Sequence, residues 1–189
     1  GKGPTDIAFD GTNMWTANYT NTVSKITTSG AVTKFTSVGL FPDTISYDSV
    51  NKNMWISDGT PQIIKMTSGG TKTCYSLPVA LCPTIYADGY IWSAVSNRLV
   101  KVNVADGSVT QYTGTSMGTS LSQIAYDGTY LWATHRTNPG CISKFSTSGN
   151  LISRFVVGAL NSSCPEPIAF DNVTGWMWFV NYVQQLPAK

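Results

Sequence analysis

The sequence predicts an all-β protein, a β-propeller of five four-stranded blades whose last blade is incomplete. Three observations carry this. The phrase "IAFDGTNMWTANYTNTVSKITTSGAVTKF" returns four more times in altered wording, its Asp at Asp10, Asp48, Asp88, Asp127 and Asp171 and its Trp at Trp15, Trp55, Trp92, Trp132 and Trp178. Both step by roughly 40 residues, the length of one propeller blade. Each copy divides into short runs alternating apolar with polar and rich in Ile, Val, Thr and aromatics, which is strand chemistry.

The repeats are justified in order by their turns. The first, residues 4–40, turns at Asp10-Gly11 and again at Ser29-Gly30. The second, 42–82, keeps the pattern in "ISYDSVNKNMWISDGTPQIIKMTSGGTKTCY". The third, 83–119, turns at Asp88-Gly89 and Asp106-Gly107, and the fourth, 120–164, at Asp127-Gly128 and Ser148-Gly149. Such pairs supply the positive φ of tight hairpins, so each blade reads as an antiparallel meander. The fifth, 165–189, breaks off after "IAFDNVTGWMWFVNY", leaving "VQQLPAK" for at most a stub of a third strand. A lone sheet cannot bury both faces, so blades must stack around an axis. The strands beginning near Ile7, Ile45, Ile85, Ile124 and Ile168 are expected to line it. The whole chain, 1–189, reads as one domain, with nothing resembling a linker.

Charged residues are only 12% and the net charge is +2. Without a basic stripe, nucleic-acid binding is not expected, and without an apolar run of about 18 residues neither is a membrane-spanning helix. A surface of uncharged hydrogen-bonding groups suits an extracellular or cell-surface protein. Residue 1 lies almost on the first strand, as expected of a processed chain. Cys74, Cys82, Cys141 and Cys164 match no zinc spacing. Of three pairings, sequence neighbourhood favours two disulfides, Cys74 with Cys82 and Cys141 with Cys164; buried thiols are the alternative. Asn18, Asn161 and Asn172 open glycosylation sequons.

"PTDIAFDGTNMWTANYTNTVSKITTSGAVTKF" resembles the repeats of the NHL, surface-layer-type and virginiamycin B lyase-like β-propellers, in its Pro-x-x-Ile-Ala-x-Asp opening, its Trp phrase and its Ile-x-Lys-Ile-like strand. The likeness covers nearly the whole chain. It implies a ligand face on the loops joining second to third and last to first strands, here Asn18, Tyr19, Asp58, Asn97, Arg98, His135, Arg136 and Glu166. It also implies, for the lyase-like members, elimination by histidines and a glutamate with a divalent metal. This chain has one histidine, His135, and one glutamate, Glu166, so no metal or other cofactor is expected and His135 is expected as an exposed loop residue without a catalytic partner.

The recurring Asp residues are expected to hold their own turns, not to ligate calcium. The recurring Trp residues are expected to pack between blades, and Trp176, unmatched in the other repeats, is the candidate for a sugar-stacking platform. Lys25, Lys65, Lys101 and Lys144 are expected as an outward, solvated row. An open edge after Tyr182 has three explanations: the chain is a piece of a six- or seven-bladed propeller, a nearly closed five-blade ring leaves a short capped edge, or the edge is a template for another chain, with Gly1–Pro4 and Val183–Lys189 as its contact segments. The leading functional expectation is therefore a secreted, non-catalytic scaffold that self-assembles into a filament or surface layer, as a homopolymer. The alternatives are a monomeric glycan- or peptide-binding propeller and a lyase-like enzyme.

Overall fold

The structure, a computed structural model, describes residues 3–114, 117–157 and 165–181, with the backbone alone at 166 and 181. The described chain is all β. β1 (Pro4–Phe9), β2 (Met14–Asn18), β3 (Thr22–Ile26) and β4 (Val32–Thr36) form the first antiparallel sheet in chain order. β5 (Thr44–Asp48), β6 (Asn53–Ser57), β7 (Gln62–Thr67) and β8 (Lys72–Ser76) form the second, and β9 (Thr84–Ala87), β10 (Tyr90–Val95), β11 (Arg98–Asn103) and β12 (Val109–Thr113) the third. The fourth holds β13 (Leu121–Tyr126), β14 (Tyr130–His135), β15 (Cys141–Ser146) and β16 (Leu151–Val156). The fifth has only β17 (Pro165–Asp171) and β18 (Trp176–Asn181) among the described residues, as an incomplete last blade requires. The chain divides into two compact units, Gly1–Trp92 with Lys101–Thr110 and Ser93–Val100 with Gln111–Lys189, the third sheet contributing to both.

Register explains which residues are buried. In the first blade Ala8, Trp15, Lys25 and Thr33 stand opposite one another, as do Ala17, Val23 and Phe35, so all share one face, the Trp face. In the second blade Ile45, Ile56 and Ile64, with Tyr47, Met54 and Met66, share the reverse face. These two surfaces meet in one apolar cluster containing Trp15, Ala17, Val23, Ile45, Met54, Ile56, Ile64 and Met66. Period-2 alternation thus gives each blade two apolar faces, one for each neighbour. The same rule runs through the second unit, where Ala125, Trp132 and Ile142 of the fourth blade pack on Ile168, Met177 and Phe179 of the fifth.

A turn glycine locks each completed interface. A Cβ at Gly70, between β7 and β8, would lie 2.7 Å from Phe35 Cδ1 of the preceding blade. Gly107 presses likewise on the Tyr75 ring and Gly149 on the Tyr112 ring. The aromatic on each fourth strand thus fits under a glycine of the next blade, a close approach that no side chain allows.

The Cys74–Cys82 disulfide is not formed. Cys74 stands exposed in β8 opposite Ile64, while the Cys82 thiol donates to Asp43 Oδ2 at 2.9 Å ahead of a cis Cys82–Pro83 bond. Nearness in sequence was misleading: one cysteine is fixed by a strand register and the other by the loop that follows it. Cys141 opens β15 as a free thiol, and Cys164 lies outside the described residues, as do Gly1, Lys2 and Val183–Lys189. Among the described residues no helix is long and apolar enough to cross a membrane.

Candidate functional site

The positions expected on one ligand face serve different purposes. Asn18, buried at the end of β2, donates from Nδ2 to Ser24 Oγ at 3.1 Å and Thr22 Oγ1 at 3.3 Å, and accepts from Thr16 Oγ1. Asp58, also buried, ties its loop together by accepting from Leu40 N at 3.0 Å, Thr60 N, Thr60 Oγ1 and Gln62 Nε2 at 2.7 Å. Burial pushes its carboxyl up, and these hydrogen bonds outweigh burial and hold it below the usual range. Arg98 donates to Gln111 Oε1 at 2.9 Å, Asn97 is exposed in a turn, and Arg136 is exposed just past the end of β14. Tyr19 alone offers an open ring, stacked on Phe41 with centroids 4.9 Å apart. The side chain of Glu166 lies outside the description.

His135 corrects the expectation of an exposed loop residue. It is the last residue of β14, only 2% exposed, with Nδ1 2.9 Å from Thr119 O and Nε2 2.7 Å from Ser143 Oγ. Arg154 Nε donates to the same hydroxyl at 3.0 Å. Burial pushes the imidazole pKa down, the Thr119 carbonyl opposes this, and the Arg154 charge adds to it. Both ring nitrogens are engaged. Among the described residues no group of three His, Cys, Asp or Glu side chains converges as a metal site would require.

The recurring Asp holds its own turn as expected, and the structure adds a reach that the sequence reading missed. Asp10 accepts from Thr12 N and Asn13 N through Oδ1, and from Trp15 Nε1 through Oδ2 at 2.6 Å. Asp127 repeats this with Thr129 N, Tyr130 N and Trp132 Nε1, also at 2.6 Å. Partial burial raises the Asp10 carboxyl, but the Trp15 and turn hydrogen bonds bring it down to about 2. The step of five from Asp to Trp, shared by the first and fourth repeats and by no other, was the available signal. The lysine row also differs from expectation. Lys25, Lys65, Lys101 and Lys144 each lie over their blade's Trp, 5.0–5.7 Å from the ring centroids, and the last two sit 3.7 Å over Tyr90 and Tyr130. Cross-strand register puts Lys25 opposite Trp15 and Lys144 opposite Trp132, so the ammonium lies on the ring face.

Against this pattern the fifth blade stands out. Trp15, Trp55 and Trp92 are fully buried, each in its own complete blade, whereas Trp178 is 60% exposed. Trp176, two residues earlier on the same face, is 65% exposed and stacks on Trp178 at 6.1 Å; Val180 continues the same face and is also exposed. Beside it the outer half of the fourth blade's Trp face is only partly covered. Trp132, Ile142, Phe155, Val157, Met177 and Phe179 line an apolar cleft of about 270 Å³, and Phe155 is 45% exposed where its equivalents Phe35 and Tyr75 are half-buried. A second, polar cleft of about 210 Å³ lies between Asp10, Asn13, Lys25, Tyr47 and Lys52, with its carboxylate oxygens filled by their own turn. Among the described residues the fifth blade thus leaves exposed the Trp face that the first three blades bury.

Structural comparison agrees with this architecture. Virginiamycin B lyase from Staphylococcus aureus superposes with a TM-score of 0.80 at 23% identity, over 95% of this chain and 63% of that one. A streptogramin B lyase gives 0.80 at 21% identity, over 95% and 62%. The Cps50 (Swd1) propeller domain of Myceliophteria thermophila gives 0.77 at 11% identity, over 96% and 63%. The fold is thus a β-propeller of the NHL-like type seen in the virginiamycin B lyases, and this chain spans less than two thirds of their length. No family model and no curated protein matches the sequence.

Proposed function

We propose that this chain is a secreted, non-catalytic propeller scaffold that self-assembles, its unfinished fifth blade being covered by a second copy. The observation that carries this reading is the open Trp face of that blade, with Trp176 and Trp178 both more than half exposed side by side. Exposed, contiguous apolar surface of this kind marks a contact site. Low charge leaves little repulsion between copies. Extracellular location, as a filament or surface layer, belongs to the same proposal. Light scattering and electron microscopy of the full chain test it. Large particles that grow with concentration are expected, with a return to monomer in the double variant Trp176→Ser, Trp178→Ser. A native chain that stays monomeric at high concentration would overturn it.

A second reading, binding of a glycan or peptide by a monomer, is favoured by the exposed Tyr19–Phe41 pair, since a flat aromatic platform suits sugar rings. Elimination with His135 as base is disfavoured, because a base needs an open ring nitrogen and both are occupied.

A further inference from the structure

The polar cleft between the first and second blades holds donors that the protein leaves unused. Thr12 comes from the β1–β2 turn, Lys25 from β3, Lys52 from the β5–β6 turn and Ser68 from the turn after β7, around a volume of about 210 Å³. The acceptors here are taken: Asp10 receives Thr12 N, Asn13 N, Asn13 Nδ2 and Trp15 Nε1. The cations are not. Among the described residues Lys25 and Lys52 meet only aromatic faces, 5.4 Å from the Trp15 centroid and 6.0 Å from that of Tyr47, with no carboxylate or carbonyl on either ammonium. Two departures from the repeat bring this about. Lys101 and Lys144 lie 3.7 Å over Tyr90 and Tyr130, and Lys65 donates to Val104 O at 3.4 Å. Asn13 stands where Tyr90 and Tyr130 do, two residues before the Trp, so Lys25 lacks that cover. The second blade reaches its Trp seven residues after Asp48, against five after Asp10, and the longer turn brings in Lys52. That turn closes with Lys52 N donating to Asp48 O at 2.9 Å and Lys52 at a φ of +60°, whereas the fifth blade closes the same turn with Gly175, at +75°. Glycine holds such a φ without strain and lysine does not. The turn itself therefore gives no reason for a lysine, and the cleft that its side chain enters does.

We propose that this cleft binds a phosphate or sulfate group, free or as the head group of a small ester, with Lys25 and Lys52 neutralising its charge and the Thr12 and Ser68 hydroxyls completing its hydrogen bonds. The site is independent of the assembly reading above, since every residue in it belongs to the first two blades. Filled acceptors beside unfilled donors select an anion. Two ammoniums stand against one carboxylate, Asp10, which stays ionised at neutral pH with its pKa at about 2, so the lining is net positive. Lysines are compact point charges without the planar fork by which arginine matches a carboxylate. Four donors from four segments suit an anion whose acceptor oxygens point in several directions, as those of a tetrahedral oxoanion do. The volume also sets a limit, because pockets for drug-sized ligands begin at about 300 Å³.

Isothermal titration calorimetry of the full chain, at neutral pH and constant ionic strength, is expected to show saturable binding of inorganic phosphate and of sulfate. Lys25→Met or Lys52→Asn should weaken it roughly tenfold to a hundredfold, the range that loss of one charged hydrogen bond implies. Met keeps an apolar stem over Trp15 and Asn tolerates the positive φ of the turn, so both are chosen to keep the fold. Lys34→Gln, exposed on β4, should bind as the native chain does. Thr12→Val and Ser68→Ala carry the test should either lysine variant lose its cooperative melting transition. β-Glycerol phosphate binding tighter than inorganic phosphate would identify an ester as the ligand, and the reverse order a free oxoanion; both outcomes support the site. Acetate binding as well as phosphate would overturn the oxoanion assignment. Phosphate heats that do not saturate, or that neither lysine variant reduces, would overturn the site itself.

Discussion

His135 shows how far a residue's surroundings can depart from its neighbourhood in sequence. It sits in "ATHRTNPG", a stretch with turn residues on its C-terminal side, yet it closes β14 and is buried with both nitrogens satisfied. Its pKa lies below the ordinary 6.5 because burial disfavours the cation and Arg154 repels it. The unfolded chain therefore takes up a proton that the native state resists, so this source of stability is full above pH 6.5 and is lost as pH falls towards the lowered native value. Urea denaturation at pH 7 and pH 5 should show the native chain losing stability, with a slope of at most about 1.4 kcal/mol per pH unit. His135→Gln should flatten this slope while costing roughly 1–2 kcal/mol at pH 7 through its imperfect hydrogen bonds. Equal slopes in the two proteins would refute the assignment.

Among the elements, the blades were legible because their signals are local. The Asp-Gly turns, the alternation and the single Trp per repeat each act within a few residues, and β1 to β16 fall where those signals place them. What was not legible depends on the neighbouring blade. That Lys25 and its counterparts cover a Trp ring follows from cross-strand register, and that Gly107 must be small follows from Tyr75 in another sheet. The cysteine pairing failed for the same reason, since strand register and a distant Asp43 decide where Cys74 and Cys82 point. Two glycines in equivalent turns measure the difference. Gly107→Ala combines a φ of +77° with a clash on the Tyr75 ring, whereas Gly30→Ala has a φ of +84° and open space. The first should cost roughly 3–4 kcal/mol, from strain plus overpacking, and the second about 1–2 kcal/mol from backbone strain alone. Chemical denaturation of both variants checks this, and equal costs would mean that the lock contributes nothing.

For the whole molecule, the number of blades was readable from the repeat, while the use of the last one was not, because exposure is a property of what is missing beside it. Repeat arrays ordinarily end in units whose outer surface is polar, which stops growth and keeps them soluble. In the fifth blade, by contrast, Trp176 and Trp178 are exposed where such an outer surface would carry polar residues. If that face joins copies as proposed, a growing particle exposes it only at its ends, and its sticky surface is counted by its ends, not by its subunits. A dye that lights up on exposed apolar surface should therefore fall in signal per subunit as particles lengthen, in inverse proportion to their mean length. On the same proposal Trp178→Asp, added in small amounts to the native chain, should shorten the particles in proportion to the dose, as a chain terminator does in polymer chemistry.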